Sequence, residues 1–251
     1  MKIMTFNILT GGTDEYGSRI DFIKEAISEA SPDFVALQEA NDFQKDNRKL
    51  LREVSQHIGL RYYTLSTGSM REGRQYHLAS LSRYPFKKKY VHSQAPFSIE
   101  APISTVIDSP LGELSICNLH LDAWSENKRL KELEIILRDE SEYRNQILLG
   151  DFNSVSSSDN YDVERLEVEA RFDVTDILRR DYVDVASYLE LEDRSTFPAQ
   201  ANKSLAFTRD IRIDYIFVAA SLAARIKGAS MLKTPTTDQA SDHYPLVVTI
   251  E

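Results

Sequence analysis

Short runs in which apolar residues alternate with polar ones, or form a continuous apolar stretch, recur along this chain and predict β-strands. Several are bounded by Gly, Pro, Asn, Asp or Ser, the residues that favour turns. Ser109-Pro110-Leu111-Gly112 separates two of the runs and predicts a hairpin. The predicted strands are Lys2–Asn7, Phe34–Gln38, Tyr62–Ser66, Leu78–Ser82, Ser104–Asp108, Glu113–Leu119, Gln146–Gly150, Ile211–Ala219 and Leu246–Ile250.

Helical spacing of apolar residues predicts helices between these strands. Ile20, Ile23 and Ile27 recur on one side of the first helix, and Pro32 ends it. Ser125 is a suitable N-cap for a later helix because its hydroxyl can accept from an unpaired backbone N–H. The predicted helices are Gly17–Ala30, residues 42–58, a segment from Ser125 to about Asp139, and a mostly helical section from about 161 to 190.

Many strands, a few helices and several hairpin turns together favour a mixed α/β sandwich. The chain has 251 residues, and no Pro/Gly/Ser-rich linker, low-complexity tract or internal repeat divides it. We therefore expect residues 1–251 to form a single domain, with two mixed sheets packed face to face and the helices outside.

Composition narrows the class of protein. Hydrophobic residues make up 42% and charged residues 27%, as in an ordinary globular protein. No window approaches the length of a membrane span, and the first residues lack the apolar core of a signal peptide, so a cytoplasmic location is expected. The single cysteine, Cys117, lies in an alternating segment and is expected to be a small buried hydrophobe rather than a nucleophile.

The formal net charge of −9 argues mildly against a protein that coats nucleic acid non-specifically. It does not exclude a nuclease, because a bound cation neutralises the carboxylates that a metal site concentrates. Lys87, Lys88 and Lys89 form the most basic run, for which a solvated surface is the favoured interpretation.

The stretch Gln146-Ile-Leu-Leu-Gly-Asp-Phe-Asn153 combines a buried strand with candidate chemistry. Asp151 and Asn153 follow Gly150 at a spacing of two, so on an extended backbone their side chains point the same way. A carboxylate and an amide at the mouth of a strand can bind a hard cation or activate water beside a phosphate. Gly-Asp-x-Asn is also ordinary turn chemistry, so this motif alone is weak.

Five clusters share one pattern, an apolar strand that ends in an acid, amide or imidazole. Taken singly, Glu39 could be a cap or a surface ion pair, and His120 a structural histidine. Their joint occurrence favours a catalytic site. The clusters are Phe6-Asn7, Val35-Ala-Leu-Gln-Glu39, Cys117-Asn118-Leu-His120-Leu-Asp122, Gly150-Asp151-Phe-Asn153, and Arg212-Ile-Asp214-Tyr-Ile-Phe together with Ser241-Asp242-His243-Tyr-Pro245.

Asp214 stands in an apolar run, where a charged side chain must find a partner. His243 is the candidate, because a carboxylate fixes the tautomer of an imidazole and stabilises its charged form.

In this order the clusters resemble the motifs of the endonuclease/exonuclease/phosphatase superfamily, the deoxyribonuclease I-like metal-dependent phosphodiesterases. The resemblance runs from residue 4 to residue 250, and Leu81–Pro85 and Thr196–Pro198 also resemble segments common in its members. It implies a four-layer α/β sandwich of two mixed, mainly antiparallel sheets with helices outside. It places the site where the strand ends of the two sheets meet.

The resemblance also implies a metal site. Glu39 would ligate Mg²⁺, with Mn²⁺ as an alternative, and Asp242 and Asn7 would complete or support the site. A few carboxylates and several waters are what Mg²⁺ prefers.

The remaining matched residues would act on the phosphate. Asp151 would orient or deprotonate the attacking water, and Asn153 would hold a phosphate oxygen. His243, oriented by Asp214, and His120 would hydrogen-bond the phosphoryl group and stabilise its developing charge.

Three residues in or after the third cluster are candidate substrate contacts: Asn118, Trp124 and Arg129. An indole can stack on a base, and a guanidinium can bind phosphate. Trp124 could equally pack over the start of the following helix. Relatives of exonuclease III usually carry a tyrosine in the third motif, so His120 places this chain nearer the branches that resemble deoxyribonuclease I, sphingomyelinases and deadenylases.

The substrate remains open at this point, because a fold does not fix it. A DNA nuclease is the first hypothesis, and it predicts basic residues on the active-site face. A phosphatase or phosphodiesterase for lipid head groups or small phosphoesters is the second, and it predicts a narrow pocket or an apolar rim. A degenerate binding module is disfavoured because every expected polar position is occupied. No obligate protein partner is implied.

Overall fold

The computed structural model describes residues 1–15, 17–66, 68, 70–71, 73–92, 100–166, 169–199 and 210–251. The strands are β1 (Lys2–Asn7), β2 (Thr13–Asp14), β3 (Gly17–Ser18), β4 (Phe34–Gln38), β5 (Tyr62–Leu65), β6 (Met70–Arg71), β7 (Arg74–Gln75), β8 (Ala79–Ser82), β9 (Phe86–Val91), β10 (Ile103–Ser109), β11 (Gly112–His120), β12 (Gln146–Asp151), β13 (Tyr182–Asp184), β14 (Asp214–Ala219), β15 (Ile226–Met231) and β16 (Leu246–Ile250).

The α-helices are α1 (Ile20–Ala30), α2 (Lys45–Ile58), α3 (Glu126–Glu140), α4 (Asp173–Leu178), α5 (Val185–Tyr188) and α6 (Thr237–Ala240). Short 3-10 turns cover Thr10–Gly12, Ser157–Asp159, Val163–Arg165 and Ala220–Arg225. None of the helices in the described ranges combines the length and apolar character that crossing a membrane requires.

Two six-stranded sheets form the centre of the molecule. The first has the order β15-β16-β1-β4-β8-β5, and the second β13-β14-β12-β11-β10-β9. Each contains one parallel pair, β1 with β4 and β11 with β12, among antiparallel neighbours. The expectation of mixed, mainly antiparallel sheets is confirmed.

The sheets pack face to face over a shared apolar core. Ile3 and Phe34 of the first sheet lie in one buried cluster with Ile147 and Leu149 of the second. Helices α1 and α2 cover the outer face of the first sheet, where Ile23 joins a separate core. Helices α3 and α4 cover the outer face of the second. The four layers follow from strands that are apolar on both faces, because each face must be covered.

The two parallel pairs explain why polar residues gather at one end of the sandwich. Parallel strands present their carboxyl ends at the same edge of a sheet. β1 ends at Asn7 with β4 beside it, and β11 ends at His120 opposite Asp151. The antiparallel neighbour β14 begins at Asp214, in register with Asp151. The loop before β16 reaches the same end because β16 runs antiparallel to β1.

Several predicted boundaries are wrong. The first helix begins at Ile20, because Gly17–Ser18 pairs with β2 instead. Residues 161–190 are mostly not helical: two short helices flank β13, which pairs with β14. The predicted strand Ile211–Ala219 begins only at Asp214.

β9 is an additional edge strand, which carries the basic run. Its Lys87, Lys88 and Lys89 are exposed, as expected for a solvated surface. Lys87 pairs with Asp108 and Glu113, and Lys88 pairs with Glu142. Lysines on an edge strand discourage pairing with another chain.

Candidate active site

Asn7 joins the ends of the two sheets. Its Nδ2 donates to Glu39 Oε1 at 3.2 Å and to Asp151 Oδ2 at 3.1 Å. Its Oδ1 accepts from the backbone N–H of Leu9 at 3.1 Å. In this orientation the amide nitrogen faces the carboxylates, so Asn7 supports the acidic residues, and ligation of a metal by its oxygen would require the amide to turn over.

Glu39 follows β4 with a positive φ of 55°. Such a conformation is uncommon for a residue with a side chain and marks a locally constrained position. The carboxylate is held from a second side, because the backbone N–H of Thr10 donates to Oε2 at 2.8 Å. The side chain of Glu39 is thus fixed in place between the loops that follow β1 and β4.

Asp151 is the centre of the cluster. Its carboxylate is buried, and Oδ2 lies 3.5 Å from Nε2 of His120 and 3.8 Å from Nε2 of His243. Gly150 precedes it with φ of 145°, and a Cβ there would approach the carbonyl oxygen of Leu119 to 1.8 Å. The glycine is therefore required for β12 to approach β11 closely at this point.

Each imidazole beside Asp151 has a carboxylate of its own. Asp214 Oδ2 lies 2.8 Å from Nδ1 of His243, which confirms the predicted partner. Glu100 Oε2 lies 3.0 Å from Nδ1 of His120. Both carboxylates are buried. Two imidazole–carboxylate pairs thus converge on one carboxylate oxygen, and the carboxylate of each pair orients its ring.

The pKa values of both imidazoles are raised. Burial lowers the pKa of His120, but the carboxylates of Glu100 and Asp151 outweigh it and raise the value to about 10. Burial also opposes the charged form of His243, and the carboxylates of Asp214, Asp242 and Asp151 raise its pKa well above the ordinary value. In the metal-free chain the surrounding carboxylates therefore favour the charged form of both rings.

The pKa of the Asp151 carboxyl group is also raised, which disfavours its charged form. Burial and the charge of Asp214 raise its pKa, and the imidazoles of His120 and His243 only partly offset them. A carboxylate whose pKa is raised is a better base at neutral pH than an exposed one.

Asn153 does not continue an extended backbone, which corrects the expectation of two parallel side chains. Its φ is 48°, and its backbone N–H donates to Asp151 Oδ1 at 2.9 Å. The Nδ2 donates to the carbonyl oxygen of Leu121 at 2.9 Å and carries a second N–H. The turn chemistry of Gly-Asp-x-Asn therefore places both side chains at the end of the sandwich.

The segment before β16 is tied to β1. The hydroxyl of Ser241 donates to the carbonyl oxygen of Asn7 at 2.7 Å. Asp242 is buried, and its Oδ1 lies 4.0 Å from Nε2 of His243. The structure thus brings Asn7, Glu39, Asp151, Asp242 and His243 to one end of the sandwich, together with His120, Asn153 and Asp214.

Three supporting residues were missed as site residues. Glu100 lies outside the strands, yet it is the single acidic residue between Lys89 and Asp108, a signal that was present in the sequence. Thr196 Oγ1 accepts from the backbone N–H of Asp214 at 3.2 Å. The ring of Phe197 lies 5.0 Å from that of His243, centroid to centroid.

Two of the three expected substrate contacts are structural instead. Asn118 is fully buried and bridges the sheets: its Nδ2 donates to the carbonyl oxygens of Leu37 and Ala79, and its Oδ1 accepts from Gln38. Asn118 and His120 are two residues apart on β11, so both side chains lie on the face that points toward the first sheet. Asn118 is farther from the end of the strand and therefore lies between the sheets.

Arg129 is also fully buried. Its guanidinium donates to Glu126 and to the carbonyl oxygens of Asp122 and Glu169, at 2.6 to 2.7 Å. Because the Arg129 guanidinium is inaccessible and already has hydrogen-bond partners, the expected phosphate contact is wrong. By contrast, Trp124 is 68% exposed and remains a candidate contact.

The donor set fits a hard divalent cation. Nδ2 of Asn7 holds the carboxylates of Glu39 and Asp151 beside each other, and carboxylate oxygens are the preferred ligands of such ions. Asp151, Asp214 and His243 each offer a ligand atom, and these atoms lie within 4.8 Å of one another. Among the described residues, Oδ1 of Asp214 is buried without a hydrogen-bond partner.

The sequence matches a known family over nearly its whole length. The model of the Endonuclease/Exonuclease/phosphatase family matches residues 4–243. The chain belongs to this family. Its members are hydrolases of phosphoester bonds and are generally metal-dependent, so the protein is a phosphoester hydrolase. No curated protein matches the sequence.

Solved structures of the endonuclease/exonuclease/phosphatase family share the fold. A family protein from Leptotrichia buccalis is 21% identical, with a TM-score of 0.74 and coverage of 100% of this chain and 99% of the other. An AP endonuclease from Archaeoglobus fulgidus is 19% identical, with a TM-score of 0.75 and the same coverage. A 3' phosphatase, NExo, from Neisseria, bound to a product DNA hairpin, is 18% identical, with a TM-score of 0.69 and again the same coverage.

Proposed function

We propose that this protein is a Mg²⁺-dependent phosphodiesterase that hydrolyses DNA. One observation carries the proposal: Oδ2 of Asp151 lies between the imidazoles of His120 and His243, and each imidazole is held by its own carboxylate. This arrangement provides one base and two cationic hydrogen-bond donors around a single point, as attack of water on a phosphate requires.

The metal would be held at the first-sheet side of the cluster. Glu39 and Asp242 would bind Mg²⁺, and Asn7 would keep Glu39 in place through its hydrogen bond. A bound Mg²⁺ would supply positive charge to a phosphate oxygen. Because a carboxylate-rich site leaves room for several waters, it suits Mg²⁺ better than a softer ion.

The remaining residues of the cluster would carry out proton transfer and charge stabilisation. Asp151 would accept the proton of the attacking water, for which its raised pKa is suited. The cationic rings of His120 and His243 would donate hydrogen bonds to the phosphoryl oxygens through Nε2. The second N–H of Asn153 Nδ2 would hold a further phosphate oxygen.

DNA is the first choice of substrate because of the relatives and one exposed side chain. One relative is an AP endonuclease, and another is a 3' phosphatase bound to a DNA hairpin. Trp124 follows β11 close to His120, and its backbone N–H donates to Asp122, which fixes the loop. An exposed indole at this place can stack on an unpaired base.

A smaller or lipid-linked phosphoester is a second candidate, supported by the surface. Met70 is 66% exposed and lies in the β6–β7 hairpin. This hairpin adjoins the Glu39 loop, since the N–H of Asp42 donates to the carbonyl oxygen of Gln75. Met70 and Trp124 are the most exposed large hydrophobic residues of the described chain. Exposed apolar side chains and a net charge of −9 both suit such a substrate.

A substrate comparison at fixed Mg²⁺ tests the proposal. Supercoiled plasmid, sphingomyelin vesicles and a soluble inositol phosphate would be incubated with the protein, each with a chelator control. Nicking of plasmid that stops with chelator, at a rate above cleavage of the other two, is expected. Chelator-sensitive release from sphingomyelin or inositol phosphate without nicking would replace DNA by the second candidate. Nicking that persists in chelator would contradict the metal dependence.

A further inference from the structure

A second cluster of metal-binding side chains lies on the outer face of the second sheet. His92 follows β9, Cys117 is on β11, and Glu140 is the last residue of α3. All three are buried. One ligand atom of each lies within 4.8 Å of the others. The cluster is separate from the catalytic site, because Cys117 belongs to the apolar core beneath α3.

The orientation of His92 is the first observation that favours a metal. Its Nδ1 lies 3.1 Å from Asp139 Oδ2. Its Nε2 lies 2.8 Å from the hydroxyl of Ser104 and 3.7 Å from Glu140 Oε1. A carboxylate that accepts from Nδ1 fixes the tautomer, so Nε2 carries the lone pair that faces the Ser104 hydroxyl and would bind a metal once that hydroxyl turns away.

The position of Cys117 is the second observation. It is the cross-strand partner of Ser104 in the β10–β11 pair, so its thiol lies on the same side as the Ser104 hydroxyl. The hydroxyl thus lies between the thiol and the imidazole. The carboxylate of Glu140 is oriented by Ser115, whose hydroxyl donates to Oε2 at 2.6 Å. The other oxygen, Oε1, therefore faces His92.

We propose that His92 Nε2, Cys117 Sγ and Glu140 Oε1 bind one Zn²⁺ ion. Zn²⁺ binds thiolate, imidazole and carboxylate at about 2.0–2.3 Å in tetrahedral geometry, which places neighbouring ligand atoms roughly 3.5 Å apart. The imidazole nitrogen and the carboxylate oxygen are already 3.7 Å apart. A thiolate and a carboxylate together neutralise the divalent charge, which favours burial of the ion.

Water can supply the fourth ligand. A cavity of about 370 Å³ opens beside the cluster and is lined by Ser104, Asp139 and Glu140 among other residues. It gives the ion a route from solvent. The site would join the end of α3 to β11 and to the segment after β9, so its role is to stabilise this side of the sandwich.

Cobalt spectroscopy tests the proposal directly, because the chain contains a single cysteine. Protein stripped with chelator would be titrated with Co²⁺ in excess Mg²⁺, which occupies the hard catalytic ligands but competes poorly for a thiolate. A near-ultraviolet thiolate-to-cobalt band that saturates at one equivalent and disappears on addition of Zn²⁺ is expected. Only Cys117 can produce it.

Variants assign the thiolate and imidazole ligands. Cys117→Ser and His92→Gln should each lose the band, whereas Glu39→Gln in the catalytic site and His57→Gln on the surface should keep it. Absence of the band in the native chain would overturn the proposal and leave His92, Cys117 and Glu140 as a buried polar cluster without a metal. A band that survives in His92→Gln would also overturn it. The native titration decides the matter even if a variant does not fold.

Discussion

Asp214 lies directly opposite Asp151 in the antiparallel pair of β12 and β14. Like charges at such positions repel, and the charge of Asp214 contributes to the raised pKa of Asp151. The hydrogen bond from His243 to Asp214 compensates one of the two charges. The repulsion and its compensation therefore set the protonation of the proposed base and of its neighbouring imidazole together.

Asp214→Asn tests this coupling. The variant removes the charge that raises the pKa of His243, so that pKa should fall toward its ordinary range and the ring should lose its fixed tautomer. We expect kcat to fall about 10²- to 10⁴-fold. Steady-state kinetics and an NMR titration of the His243 ring measure the two effects. Asp21→Asn, whose side chain is 93% exposed, is the matched control and should change neither.

The pH dependence of stability tests the His120–Glu100 pair. The pKa of His120 is raised from an ordinary value near 6.5 to about 10 in the folded chain, with burial opposing the shift and the carboxylates of Glu100 and Asp151 causing it. A raised pKa stabilises the folded state fully below about pH 6.5, and that contribution is lost as the pH rises toward about 10.

Urea unfolding of the metal-free protein in chelator, at a series of pH values, measures this contribution. The free energy of unfolding of the native chain should fall between about pH 6.5 and 10 relative to that of His120→Gln, because the variant lacks the titrating ring. Parallel curves for the two proteins across this range would show that His120 is not stabilised as a cation.

Much of the site could be predicted because the sequence signals its strand ends. Asn7, His120 and Asp151 each terminate an apolar run, and two parallel pairs bring such termini together regardless of the details of the loops. The partner of Asp214 could also be predicted, since an isolated charge in an apolar run must be compensated.

Other features depend on tertiary partners that no local pattern reveals. Glu100 stands out in sequence as the single acidic residue of its segment, but its role follows from its contacts with His120 and with the backbone N–H of Glu39. β13 is a strand because it pairs with β14, and its Asp184 binds the buried guanidinium of Arg212. Arg129 was expected to contact phosphate, yet its guanidinium donates to two backbone carbonyl oxygens in the interior.

Trp124→Ala tests the proposed stacking contact. Loss of one stacked base corresponds to about 1–3 kcal/mol, so KM for DNA should rise roughly 5- to 150-fold. Because the indole is 68% exposed, the free energy of unfolding should change by less than about 0.5 kcal/mol. Tyr62→Ala, an exposed aromatic at the opposite end of the first sheet, is the control. An unchanged KM in Trp124→Ala would remove this residue from the substrate site.

Arg129→Met tests the structural role of the buried guanidinium. The substitution retains an apolar chain but removes the cation that pairs with Glu126 and the donor to two buried backbone carbonyls, so the free energy of unfolding should fall by about 3 kcal/mol. KM should stay at the native value at temperatures where the variant is folded. Denaturant unfolding and initial rates give both quantities. A raised KM with native stability would restore the phosphate-contact interpretation.

The proposal that the chemistry runs through Asp151 is tested most directly by nicking of supercoiled plasmid with Mg²⁺. Native protein, Asp151→Asn and the exposed control Asp21→Asn would be compared over one time course. We expect native protein and Asp21→Asn to nick at equal rates and Asp151→Asn to be slower by at least about 10³-fold, since it cannot accept a proton from water. Equal nicking by Asp151→Asn and the native protein would contradict the account.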